Sequence, residues 1–209
     1  MSEHVVGPAG EPRWLLALAI AALVVSGISH TERGTWWLEV FPVLLGIPIL
    51  VATRRRFPLT PLAYRLLFLH SLVLVVGGHY TYARVPVGFW VQDAFDLARN
   101  PYDRLGHFAQ GFVPALLARE LLLRTSPLRR GKWLFALVCM SALAISAGYE
   151  LLEWWAALLG GEAAESFLGT QGDPWDTQWD MFLALAGALA SQLLLSRTHD
   201  RELARMGVA

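Results

Sequence analysis

Six stretches of the sequence approach the roughly 20 apolar residues that a helix needs to cross a bilayer core about 30 Å thick, and this repetition leaves the chain few architectures. They run from Arg13 to Ser29, Trp36 to Ala52, Leu62 to Gly78, Pro101 to Leu123, Lys132 to Leu158 and Pro174 to Ser196. The expectation is an all-α polytopic membrane protein, a bundle of about six transmembrane helices forming a single membrane domain over residues 1–209. The second stretch is the weakest. Glu39, Pro42 and Pro48 interrupt it, so a kinked or re-entrant segment is expected there. With 55% hydrophobic residues, only 16% charged residues and nine tryptophans, the composition excludes an ordinary soluble domain.

The placement of charge orients the bundle. Arg54, Arg55, Arg56 and Arg65 flank the second connection, Arg124, Arg129, Arg130 and Lys132 the fourth, and Arg197, Arg201 and Arg205 the C-terminus. The fifth connection holds Glu162, Glu165 and Asp173 and no Lys or Arg. The positive-inside rule then puts both termini in the cytoplasm and the first, third and fifth connections outside. Arg84, Arg99 and Arg104 in the third connection run against this rule. The start of the chain lacks the basic residues and small-residue cleavage site of a secretory signal, so the first stretch is read as a retained span. The charge is balanced, 17 basic against 17 acidic residues, which points to no nucleic-acid partner. Cys139 is the sole cysteine, which excludes an internal disulfide; within an apolar run it reads as a small buried residue.

Two helix starts echo one another. Asn100-Pro101-Tyr102-Asp103 leads on to His107, and Asp173-Pro174-Trp175-Asp176 leads on to Asp180. Asn or Asp at the cap, Pro at the first helical position and an acid at the third describe a helix N-terminus. Capping is therefore a sufficient reading for Asp103 and Asp176. His107 and Asp180 lie one turn deeper, where no cap explains them.

Helical phase gathers the polar residues. Asp103, His107, Gly111 and Pro114 form one stripe of the fourth stretch; Ser146, Glu150, Glu153 and Ala157 form one on the fifth, and Asp176, Asp180, Ala184 and Gly187 one on the sixth. At 1.5 Å per residue, Glu150 stands about 27 Å along the helix from Lys132. The third to sixth spans thus bring their polar residues to one level near the outer boundary. Ionisable side chains within spans face the bundle or a water-filled cavity rather than lipid, so an outward-facing polar pocket walled by these four helices is expected. Arg119 and Glu120 fall near the inner boundary, where snorkelling or pairing suffices, and His30 and His70 have no spaced partners. Nothing else polar is evident in the inner half.

The segments His79–Gly88 (H-Y-T-Y-A-R-V-P-V-G), Arg99–Gly111 (R-N-P-Y-D-R-L-G-H-F-A-Q-G), Tyr149–Trp154 (Y-E-L-L-E-W) and Gln171–Met181 (Q-G-D-P-W-D-T-Q-W-D-M) together resemble the YjdF-like family of bacterial inner-membrane proteins. More distantly the chain is similar to VanZ-like membrane proteins, which carry an acid-x-x-x-His pattern on one helix and spaced aspartates on a later one. It departs from them at Ala184, where a polar residue would follow Asp180. The resemblance implies a multi-span helical fold in a bacterial plasma membrane and no established reaction.

Three functions compete for the pocket. The first is enzymatic: a hydrolase or transferase acting on a lipid or other cell-envelope substrate, with His107, Glu150, Glu153 and Asp180 as catalytic groups. It runs either by acid–base chemistry alone or with a divalent metal, zinc, manganese or iron, on Asp103, His107, Asp176 and Asp180. Around these, His79, Tyr82, Arg84, Arg104, Gln110 and Gln178 are the expected ligand-binding side chains. The second is recognition of an anionic lipid head group by two helix N-termini and nearby arginines. The third, a small transporter, is disfavoured by the lack of an inner polar path.

Overall fold

The computed structural model describes residues 10–160 and 170–208. The residues before Gly10 and the acids Glu162 and Glu165, used above for topology, lie outside the described residues. Among the described residues seven helices follow in order: α1 Glu11–Ile28, α2 Arg33–Thr53, α3 Pro61–Tyr80, α4 Pro86–Phe95, α5 Tyr102–Thr125, α6 Lys132–Gly160 and α7 Asp176–Arg205. A 3₁₀ turn, Tyr82–Arg84, joins α3 to α4. Among the described residues there is no strand. The protein is an all-helical membrane bundle: α1, α2, α3, α6 and α7 are each long and apolar enough to cross a bilayer.

The second stretch is one continuous helix, neither re-entrant nor broken, although Pro42 and Pro48 lie inside it. Each proline forfeits a backbone hydrogen bond, a loss that neighbouring helices and local adjustment make tolerable within a membrane. Glu39 is not an interruption of this helix but a buried residue on its inward face.

The expected third connection contains a helix that the apolar-run criterion misses. α4 is only 10 residues long and amphipathic, leaving Val87, Phe89, Trp90 and Phe95 exposed. Gly88 lets it rest on the next loop: a Cβ there would lie 1.8 Å from Asn100 Oδ1. α4 ends at Asp96 in the left-handed region, φ 52°.

α5 is the axis of the fold. It packs most extensively on α7 and then on α6 and α3, and ten of its residues are buried, including Asp103, His107, Arg119 and Glu120. At 24 residues, about 36 Å, it is long enough to span; its polar residues keep its average hydropathy low. The α5–α7 crossing depends on glycine. A Cβ on Gly111 would sit 1.8 Å from the Ala184 carbonyl oxygen, and one on Gly187 2.1 Å from that of Phe108. Small residues at a crossing of membrane helices let the backbones approach closely. The contact fixes the rotation of α5 against α7 and so the distance between His107 and Asp180.

The two echoed helix starts fold alike. Asn100 Oδ1 accepts from the Tyr102 N–H (3.0 Å) and Asp173 Oδ1 from the Trp175 N–H (2.9 Å), each side chain bonding two residues onward as in an Asx turn. Helical geometry begins one residue later than the sequence suggests in the first case and two in the second, with Tyr102 and Asp176.

Candidate functional site: a buried histidine among carboxylates

Arg99 organises the N-terminal end of α5, the outer end in the orientation expected from the Lys and Arg distribution. Its Nη2 donates to Asp103 Oδ2 at 3.0 Å, and its Nη1 bonds Asp176 and the Thr170 carbonyl, the latter at 3.2 Å. Burial opposes the guanidinium charge, but the hydrogen bond to Asp176 and the charges of Asp176, Asp103 and Asp180 outweigh it and raise its pKa. Arg99 thereby engages Asp176 and one oxygen of Asp103, leaving Asp103 Oδ1 turned to His107. Neither caps its own helix; they clamp α5 to α7 through Arg99. Sequence reasoning treated Arg99 as a topological exception. A cation four residues before an acid is the signal that it overlooked.

His107, one turn below Asp103 and 7% exposed, has acceptors at both nitrogens. Nδ1 stands 3.0 Å from Gln110 Oε1 and 3.8 Å from Glu150 Oε1. Nε2 faces Asp103 Oδ1 at 3.5 Å and Asp180 Oδ2 at 3.8 Å. A neutral imidazole has one N–H and one lone pair. With Nδ1–H given to Gln110, the Nε2 lone pair would point at two carboxylates, so this side of the ring calls for a proton or a cation.

The side chains form two overlapping groups of three buried ligands, Asp103–His107–Asp180 and His107–Glu150–Glu153; within each group the donor atoms lie within 4.8 Å of one another. Among the described residues Glu150 Oε1 and Asp180 Oδ1 are buried without a hydrogen-bond partner, an arrangement that costs about 1–3 kcal/mol for each group left so. Glu39, Glu150, Glu153 and Asp180 are all buried. The described ion pairs provide Arg99 for Asp103 and Asp176, and only His107 for Glu150 and Asp180. The centre is short of positive charge.

A cavity of about 220 Å³ adjoins the histidine. Its polar lining comprises Asp103, His107, Gln110 and Glu153 together with Glu39, His70, Tyr82 and Tyr149. Its walls come from α2, α3, α5, α6 and the 3₁₀ turn. α7 contributes no lining residue, and α2 takes the place that the helical-phase argument gave to it. Tyr82 is held by glycines: its ring lies where a Cβ of Gly77 or Gly106 would be. Burial, followed by the negative charge of Glu39, pushes the Tyr82 phenol well above its ordinary pKa, so it remains a neutral hydroxyl.

The other expected ligand-binding residues lie away from His107. His79 Nδ1 is 3.1 Å from the Ser26 carbonyl oxygen, at the α1–α3 contact. Arg84 pairs with Glu32 at 3.2 Å on the surface. Arg104 pairs with Asp173 at 3.0 Å and lies over the Trp179 ring, at the rim. Gln178 is exposed. Asp176 belongs to neither ligand group and serves Arg99.

The C-terminal end of α5, the inner end in the same expected orientation, holds a second polar cluster, contrary to the expectation that nothing else polar lies there. Glu120, fully buried, accepts from the Thr60 N–H and hydroxyl (3.1 and 2.8 Å), from Arg124 Nη1 (2.7 Å) and from His199 Nε2 (3.1 Å). Arg119 donates to His199 Nδ1 (2.9 Å) and to Asp200 (2.8 Å), which also receives Arg130 (2.9 Å). Arg119 and Glu120 are not snorkelling; they tie α3, α5 and α7 together.

The sequence profile of a family described as "Predicted membrane protein (DUF2238)" matches residues 11–201. A protein of Escherichia coli (strain K12) named "Inner membrane protein YjdF" is 59% identical over 186 residues, covering 89% of this chain and 89% of that one. No solved structure matches.

Proposed function

Because the chain belongs to the DUF2238 family of membrane proteins, we propose that it is a multi-pass inner-membrane protein whose His107 centre binds one divalent transition metal and carries out hydrolysis or group transfer on an envelope lipid. The observation that carries this reading is the face of His107 turned to Asp103 and Asp180. For ligand bonds of about 2.1 Å, a tetrahedral site places its donors about 3.4 Å apart. Here Nε2 lies 3.5 and 3.8 Å from the two aspartate oxygens, so small side-chain movements close the set. Gln110, accepting from Nδ1–H, fixes the tautomer that leaves Nε2 to bind, as the outer partner of a ligating histidine commonly does.

A divalent metal bound there supplies a Lewis acid that polarises a phosphoryl or carbonyl oxygen. The chain's own residues do the rest. Glu153 lines the cavity beside His107 and is placed to take a proton from an attacking hydroxyl or to return one to a leaving group. Arg99 keeps Asp103 in position. α5, with α6 and α7, brings these groups together near the outer boundary, with both termini in the cytoplasm; the Lys and Arg distribution supports that orientation. Head-group capture by arginine has less support, since Arg84, Arg99 and Arg104 each have an acidic partner.

Elemental analysis of the detergent-purified protein tests the reading. About one zinc, manganese or iron per chain is expected, lost in His107→Ala and in Asp180→Asn and retained in Glu153→Gln. Absence of stoichiometric metal from the wild-type protein purified without chelator, and after loading with each ion, would overturn it.

A further inference from the structure

The cavity beside His107 has an incomplete wall, and the gap faces the bilayer. Its mouth is formed by Phe41 and Leu45 of α2 and by Ile145 and Leu152 of α6, each 46–50% exposed. α2 and α6 share no extensive contact comparable to that of α5 with α6 or of α2 with α3; the Tyr149 hydroxyl reaches across to the Leu38 carbonyl at 3.3 Å. In a membrane bundle the medium outside α2 and α6 at this depth is hydrocarbon. The cleft is therefore amphipathic along its length, apolar at the mouth and lined by Glu39, Glu153, His107 and Gln110 at its inner end.

Size narrows the occupant. At about 220 Å³ the cavity is smaller than the roughly 300–1,000 Å³ that encloses a drug-sized ligand, so it cannot engulf a whole lipid. It suits a molecule that puts only its polar end and the adjoining part of a chain inside. We propose that the substrate is a membrane amphiphile that enters sideways between α2 and α6, its head group reaching the His107 centre while the rest of its aliphatic tail stays in the bilayer. This deepens the reading of the centre as a lipid-processing site and rests on it for the chemistry, but not for the binding. The polar end meets chiefly acceptors, the carboxylates of Glu39, Asp103 and Glu153, which favour hydroxyl or ammonium donors, with the Tyr82 and Tyr149 hydroxyls beside them.

The test uses full-length protein, stripped of metal with chelator and reconstituted in nanodiscs of phosphatidylethanolamine and phosphatidylglycerol. These carry a phospholipid with a photoreactive diazirine near the start of one acyl chain. After illumination, adducts are mapped by mass spectrometry. They are expected on Leu74, Gly106 or Pro114, which line the cavity and are buried or partly buried. They should fall severalfold, towards background, in a Leu45→Trp/Ile145→Trp variant that plugs the mouth, and remain unchanged in Leu193→Trp, which alters an exposed residue of α7. Adducts confined to outward residues such as Leu193 and Leu194 would overturn the proposal, as would cavity adducts that persist undiminished in the plugged variant. The experiment is independent of metal: cavity adducts in a protein that never binds metal would sink the catalytic reading alone, and stoichiometric metal without cavity adducts would sink this one alone.

Discussion

The two ends of α5 each bury a histidine among carboxylates, and they resolve the problem in opposite ways. At the inner end His199 accepts from Arg119 at Nδ1 and donates to Glu120 at Nε2, and Glu120 also has Thr60 and Arg124. Every strong group there has a counterpart of the right kind, which is the condition under which buried polar networks are tolerated. At the outer end His107 has acceptors on both sides, and Glu150 and Asp180 each keep an oxygen unpartnered. Satisfied networks fasten helices. An unsatisfied one persists at a cost, and functional centres are where that cost is usually found.

Breaking the inner end should have the larger effect on folding. Glu120→Ala leaves Arg124 and His199 facing an empty buried site, and loss of one member of a buried ion network costs about 3–5 kcal/mol. A large drop in the midpoint of unfolding in detergent should show it, with any loss of function following from loss of fold. The outer end should instead respond to metal. Zinc or manganese at 100 times its dissociation constant should stabilise the wild-type protein by about 2.7 kcal/mol, and thermal melts with and without chelator should show no such difference for His107→Ala.

A finer contrast comes from Asp180→Ala. In metal-free protein it removes a buried oxygen that has no partner, and the expected gain is about 1 kcal/mol despite the small void created. A strong destabilisation of the metal-free form would mean that Asp180 is structural, like Glu120, and would erase the distinction. The smallest change is expected from Arg84→Ala, whose pair with Glu32 is exposed: less than about 1 kcal/mol, with wild-type metal content. A marked loss of metal there would draw Arg84 back into the site.

These contrasts also mark what could be read in the sequence. The helices and the polar stripes of α5, α6 and α7 were legible, because an ionisable residue inside an apolar run is conspicuous and its period is fixed by the helix. α4 was not, since ten amphipathic residues resemble a loop when only long apolar runs are counted. Glu39 was discounted as an interruption of α2, although the same rule that drew attention to Glu150 applies to it. The inner network escaped for a different reason. Thr60, Glu120 and His199 are far apart in sequence, and each lies near a helix end, where solvation explains a polar residue equally well. Nor could the sequence show that α2 rather than α7 walls the cavity. That depends on the close crossing of Gly111 on Ala184 and Gly187 on Phe108, which brings Asp180 against His107 from behind.

The claim that the outer histidine is a metal centre and the inner one a fastening is tested most directly by loading the purified protein with cobalt(II) and recording its visible absorption. The account predicts ligand-field bands of a low-symmetry site with nitrogen and oxygen donors, abolished by His107→Ala and unchanged by His199→Ala in protein that remains folded. Absence of cobalt-dependent bands in the wild type, or bands that survive His107→Ala, would contradict it.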